Sequence, residues 1–297
     1  MNHSKKLTNQ RTFRKLEELN LIDNFLFQQM LSQDKDGEDF ARILLSTILG
    51  KNIRKVKITP QKNILGIDTN KHGIQLDAYI EDVSDELTDD LADVEVIRDL
   101  YDIEPNNTYE RETLPKRTRY YHGLIDIQLL SSGSGYEKLP NVVIIVILPY
   151  DPFGKNRMVY TIQNRCIEDE TLAYDDGAKK IFLYTKGTEG NPSQALKDML
   201  KYIQNTTDYN ITNQNIASIH KLVNKVKHKK EVSISYMKSW EVEEMAKKEG
   251  YREGIQEMRD RINQLNIKLT EEGRTEDIIK SARDKEYQNA LFEEFGI

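Results

Sequence analysis

Two carboxylates and an amide draw attention first: Asp77 in the stretch IQLDAYIED, and Glu104 with Asn106 in YDIEPN. Around Asp77, the residues Ile74, Leu76, Ala78 and Ile80 alternate with Gln75, Asp77, Tyr79 and Glu81, the period-two pattern of a half-buried strand. Residues 100–106 read as a second short strand, with Asp102, Glu104 and Asn106 on one face and Tyr101 and Ile103 on the other. Pro105 has no N–H for a ladder, so this strand should end or bulge there. Adjacent strands lie only about 4.8 Å apart, so carboxylates on neighbouring strands can share one ion. A hard cation such as Mg²⁺ is content with one or two carboxylates and water for the rest of its octahedron. Such an ion lowers the pKa of a bound water and steadies charge at a phosphate. Asn106, two residues past Glu104 and pointing the same way, is placed to orient that water. As a bare pattern this is weak evidence, because an Asp and a Glu-x-Asn more often arise from solvent-facing carboxylates on a half-exposed sheet.

The elements needed to hold these groups can be traced along the chain. Residues 1–20 are polar and predict a flexible N-terminal arm. From Leu21 the apolar spacing turns helical (Ile22, Phe25, Leu26, Met30, then Phe40, Ile43, Leu44, Ile48), broken near residues 32–37 and stopped at Gly50. Residues 51–62 are basic and β-rich. The acidic stretch 84–99 has no clear strand character. Residues 116–130 (KRTRYYHGLIDIQLL) predict a helix, and VVIIVIL at 142–148 predicts a strand covered on both faces. KIFLYT at 180–185 is a further strand, and together these predict an α/β core with a mixed sheet. After Asn191 and Pro192, read as a cap and a first-turn proline, the chain is helical to its end: 192–204, 213–229, a long charged helix over 235–268 interrupted at Gly250 and Gly254, and one short helix over 275–295.

Composition bounds the function. The chain has 297 residues, 43 Lys+Arg against 49 Asp+Glu, and a formal net charge of -6. That balance argues against a generic nucleic-acid coat, which depends on neutralising phosphates. It leaves room for a nuclease, whose site needs acidic ligands and only local basic surface. A single cysteine, Cys166, rules out a disulfide framework or a multi-thiolate zinc site and reads as a buried, inert thiol. The five histidines show no ligand spacing. No apolar run reaches the roughly 18 residues of a membrane span, and the polar, basic start lacks the apolar stretch of a secretory signal. A cytoplasmic protein with no membrane association is therefore expected.

Longer motifs sharpen the reading. IQLDAYIED, YDIEPN, LPKRTRYYHGLIDIQLLSSGSGYEKLP, VVIIVILPYDPFGKNRMVYT and DDGAKKIFLYTKG stand in this order. Over residues 21–190 they resemble the recombination-promoting nuclease and transposase family of the PD-(D/E)xK nuclease superfamily, with a fainter likeness in the C-terminal tail. The resemblance implies an α/β restriction-endonuclease-like core, a mixed central β-sheet flanked by helices, followed by a helical C-terminal region. It also implies a Mg²⁺-dependent DNA endonuclease (Mn²⁺ as a substitute ion) that hydrolyses phosphodiesters. Residue by residue, it makes Asp77 and Glu104 the metal ligands and Asn106 the counterpart of a family glutamine that replaces the superfamily lysine. Asparagine is one methylene shorter, which puts its reach in question. Asp23 matches a family position near the start of the first core helix, where it is either a further acidic site residue or a first-turn charge favoured by the helix dipole. Lys116, Arg117, Arg119 and Tyr121 match the family's basic and aromatic helix and would meet DNA phosphates. At least one of Tyr120 and Tyr121 reads as core packing instead, and the charges read equally as a solvated helix face. Asp126 either pairs with Arg119 or serves the site.

The expected organisation is thus an arm over 1–20, a nuclease-like domain over 21–230 and a helical tail over 231–297, with DNA as partner and self-association through the C-terminal helices. The alternative is a nuclease-fold protein weakened or inactive in catalysis that acts as a DNA-binding or self-associating module.

Overall fold

The computed structural model describes residues 14–64, 73–86 and 94–297. Residues 1–13 of the expected arm and 87–93 of the acidic stretch lie outside the described residues. The chain divides into two compact units, one ending at Ser233 and the other running from Ile234 to Ile297.

In the first unit, β1 (Val56–Ile64), β2 (Ile74–Glu86), β3 (Val94–Pro105), β4 (Asn141–Leu148), β5 (Val159–Gln163) and β6 (Ala178–Tyr184) form one mixed sheet in the order β1-β2-β3-β4-β6-β5. β1, β2 and β3 are antiparallel, β3, β4 and β6 are parallel, and β5 returns antiparallel on β6. The aliphatic run of β4 is buried from Val142 through Leu148 because it lies between β3 and β6 with both faces covered. The sheet is flanked by helices. α1 (Asn24–Leu31) and α2 (Asp34–Leu49) form a corner that packs on β1 and on α5 (Gln214–Lys227); α2 also packs on α4 (Gln194–Gln204). Phe27 and Phe40 meet edge to face inside that corner, 5.5 Å between centroids. Gly37 is needed there, since a Cβ would lie 2.5 Å from the Leu31 carbonyl oxygen. α2 stops at Gly50, whose φ of +65° is left-handed. α3 (Leu114–Leu129) makes the crossover between the parallel strands β3 and β4 and rests on the sheet through Leu114, Leu124 and Ile125.

Several sequence expectations change. Residues 14–20 are anchored rather than loose: Leu16 and Leu19 are buried, and the Lys227 ammonium donates to the carbonyls of Glu17 (2.8 Å) and Leu19 (2.6 Å). Both ends of the acidic stretch are strand, with Ser84 opposite Val96 and Glu86 opposite Val94 beyond a bulge at Asp82 and Val83. Backbone pairing there outweighs a composition poor in strand formers. β5 is an edge strand that the sequence does not signal, because it is mostly exposed and carries little apolar pattern. The helix after Asn191 begins later, capped by Ser193, whose hydroxyl accepts from the Leu196 N–H at 3.2 Å. Cys166 is half-exposed on a loop rather than buried.

The second unit holds most of α6 (Lys230–Glu271), with α7 (Thr275–Ser281) and α8 (Lys285–Phe295). α6 runs through Gly250 and Gly254 without interruption. The single helix expected over 275–295 is two, because the Asp284 carboxylate accepts from the N–H groups of Glu286 and Tyr287 and starts α8 afresh. Leu265 and Leu269 of α6 close a small core with Leu291 and Phe292 of α8.

Candidate active site

The sheet forks at the carboxylates. The β2–β3 ladder runs up to the pair of Tyr79 with Asp102 and goes no further. Beyond it β2 stays with β1 as far as Ile74, and β3 stays with β4 as far as Pro105 opposite Ile147. Pro105 has no N–H to extend the ladder, which suits a strand leaving its neighbour. The next positions on the same face as Tyr79 and Asp102 are Asp77 on one arm and Glu104 on the other. On its other side, β2 meets Gln61, whose φ of +51° falls between the regular pairs of Pro60 with Ala78 and Lys62 with Leu76. Asp77 therefore stands where the ladder is loosened on both sides.

Three carboxyls meet here. Asp102 and Glu104 are buried, at 0% and 5% exposure. The Asp77 carboxylate accepts from the Gln28 amide of α1 at 2.7 Å, and the Gln61 amide donates in turn to Gln28. Both Asp102 oxygens are buried without a hydrogen-bond partner. From α3 the Arg117 guanidinium donates to Glu104 Oε2 at 3.4 Å and more closely to Glu110. Its Nε is buried and unpaired. Burial raises the pKa of all three carboxyls. Glu104 is pushed up to about 8 by desolvation, opposed by Arg117 and reinforced by Asp77 and Glu110. Asp102 is raised well above the carboxylate range by desolvation and then by Glu104 and Asp77. Asp77 is raised by desolvation, against the pull of Gln28 and Arg117.

Such a cluster fits a divalent cation by its own chemistry. The donors are all oxygen, three carboxyls face one guanidinium, and the buried Asp102 oxygens lack partners. Among the described residues, no three Asp, Glu, His or Cys side chains stand at coordinating spacing. Asp77 and Glu104 stand on the two arms of the fork, and Asp102 is buried beside them.

Comparison of the chain with protein-family models, with curated proteins and with solved structures finds no match.

The remaining residues read from the sequence are spread over several elements. Asn106 follows β3, its N–H bonded to the Ile147 carbonyl at 2.9 Å. Its amide is taken up locally: Oδ1 accepts from the Thr108 N–H at 2.8 Å, and Nδ2 reaches Glu110 at 3.4 Å. Asp23 precedes α1 and turns its carboxylate to the Arg14 guanidinium, two contacts of 3.0 Å, and to the Asn20 N–H at 2.8 Å. On α3, Lys116 and Arg119 are exposed, whereas Arg117 and Tyr121 are half-buried, with Tyr121 packed on the core. Asp126 faces Asp176 and Lys180. Asp151 of the DPFG segment is a turn residue, accepting from the N–H groups of Phe153 (3.0 Å) and Asn156 (2.6 Å). At the end of α5 and just past it, two lysines are engaged as well: Lys225 with Asp36, and Lys229 with Gln33.

Sequence reasoning put Asp102 on the face of Glu104 but assigned it no role. It passed over Gln28, Gln61 and Glu110. The alternation of β3 was the signal for Asp102. Gln28 lies 49 residues from its partner Asp77, with no local pattern to mark it.

Proposed function

We propose that this protein is a metal-dependent DNA endonuclease with a PD-(D/E)xK-type core. The observation that carries the reading is the fork in the sheet, where Asp77 and Glu104 come from two diverging strands with a third carboxyl beneath and an arginine above. A bound Mg²⁺ or Mn²⁺ would supply an activated water and charge stabilisation at the phosphate. The chain's own groups do the rest. Gln28 orients the Asp77 carboxylate, burial keeps bulk water from Asp102 and Glu104, and Arg117 brings positive charge to the mouth of the cluster. Lys116 and Arg119, exposed on the same helix, are suited to DNA phosphates on either side. The order of motifs from residue 21 to 190, resembling recombination-promoting nucleases, supports the choice of DNA as substrate.

The test is cleavage of supercoiled plasmid with Mg²⁺ or Mn²⁺. Wild type should nick the plasmid only with metal, and Asp77→Ala and Glu104→Ala should each lose about 10³-fold or more. Cutting that persists in both variants would sink the assignment.

A second reading has its own observation. The Asn106 amide is spent on Thr108 and Glu110, which favours a nuclease-fold DNA-binding or self-associating module. Under that reading no variant cuts, and Asp77→Ala keeps a salt-dependent affinity for DNA.

A further inference from the structure

Arg117 does more than neutralise its neighbours. Its field reaches Asp77, Asp102 and Glu104 alike. Its hold on Glu104 is long, 3.4 Å, whereas Glu110 binds it closely from the loop ahead of α3. A guanidinium carries five donors in a planar fork. Here Nη1 serves Glu110, Nη2 reaches Glu104, and Nε is buried with no acceptor. The side chain is 24% exposed, so it borders both the cluster and solvent. Asn106, two residues past Glu104, has both ends of its amide occupied in the loop.

We infer that Arg117 is a catalytic residue of this site that holds Glu104 as a placeholder cation until a divalent ion arrives, then clamps a non-bridging oxygen of the scissile phosphate. The inference rests on the nuclease reading and names the group that meets the substrate. With a divalent ion held by Asp77 and Glu104, the Arg117 guanidinium would move off Glu104. Glu110 retains it, so Nη2 and Nε turn to the anion that must approach the same ion. Planar, bidentate phosphate recognition is what arginine does better than lysine or an amide. In this role Arg117 makes only hydrogen bonds.

The two halves of this role push one variant in opposite directions. Removing a competing cation should tighten metal binding, and removing a phosphate clamp should slow the chemistry. Mn²⁺ binding by titration calorimetry and plasmid cleavage would be measured on full-length wild type, Arg117→Ala and Arg117→Lys. Arg117→Ala should bind Mn²⁺ several-fold more tightly, yet lose about 10²-fold in kcat with KM little changed. Added guanidinium should restore part of the lost rate, and Arg117→Lys should retain more rate than Arg117→Ala. An arginine that only braces the fold would give weaker or unchanged Mn²⁺ binding and no rescue, and that result overturns the inference. Wild type and Arg117→Ala cutting equally well would overturn it while leaving the nuclease reading in place. A wild type that cuts with neither Mg²⁺ nor Mn²⁺ would remove the nuclease reading, and the phosphate role with it.

Discussion

Arg117 and Arg274 each gather several carboxylates, one in each unit of the chain, and their surroundings differ. Arg274 bonds Asp277 through Nε at 2.7 Å and Glu294 through Nη1 at 2.6 Å, with Glu272 at 3.4 Å. Glu272 and Glu294 are more than half exposed, Asp277 is partly exposed, and the guanidinium also lies over the Phe295 ring. Water screens every charge in that group, which ties the start of α7 to α8. Arg117 faces Glu104 and Asp102, which are buried, and one of its own donors has no acceptor. The ingredients match, but the sheet-side cluster keeps buried polar atoms without partners, whereas the surface cluster is fully paired. Unpaired polar atoms in a dry recess are a cost to the fold, and such cost is characteristic of sites where a ligand can relieve it.

The largest effect that could break this contrast is on stability against pH. The unfolded chain releases the Glu104 proton near 4.5, whereas the folded protein holds it to about 8, and burial shifts Asp77 and Asp102 the same way. Between those values the native state binds more protons. Stability should therefore be fullest below the lower value and decline towards pH 8, by at most about 1.4 kcal/mol per pH unit for each proton. Urea unfolding of the metal-free protein from pH 5 to 9 would show the decline, and Glu104→Gln should flatten it. A curve rising over this range would mean that the carboxyls are paired and content. A smaller change should follow from Asp102→Leu, which removes buried acceptors without partners: a gain of about 2 kcal/mol in the metal-free protein, with weaker Mn²⁺ binding. A loss of stability there would show that Asp102 has a partner after all. Smallest of all is Glu294→Gln in the surface cluster. Its melting temperature should stay within the scatter of repeats, because Asp277 still holds Arg274.

Legibility in the sequence followed how local the cause was. The aliphatic run of β4 and the alternation of β2 could be read directly, since burial on two faces or one leaves its own spacing. Glu104 and Asp102 could be placed on one face from alternation alone. The fork could not, because it depends on β2 preferring β1 while β3 follows β4, and those choices are made by strands far apart in sequence. Arg117 was legible as a basic helical residue. Its turn inward depends on Glu110 and on α3 lying over the sheet, which no local spacing encodes. The strand ends within 84–99 were hidden because acidic residues mask a backbone that pairs nonetheless.

The fork has a consequence for which ions the protein would tolerate. Strands joined by a continuous ladder are held at a fixed spacing, and carboxylates on them offer an opening of one size. Asp77 and Glu104 stand past the last rung, so no backbone bond sets the gap between them. A compliant gap adapts to ionic radius, whereas strict preference for the smaller Mg²⁺ over Ca²⁺ calls for a rigid one. Calcium should therefore enter this opening readily, and the protein's discrimination would lie in what each ion does once inside rather than in which is admitted.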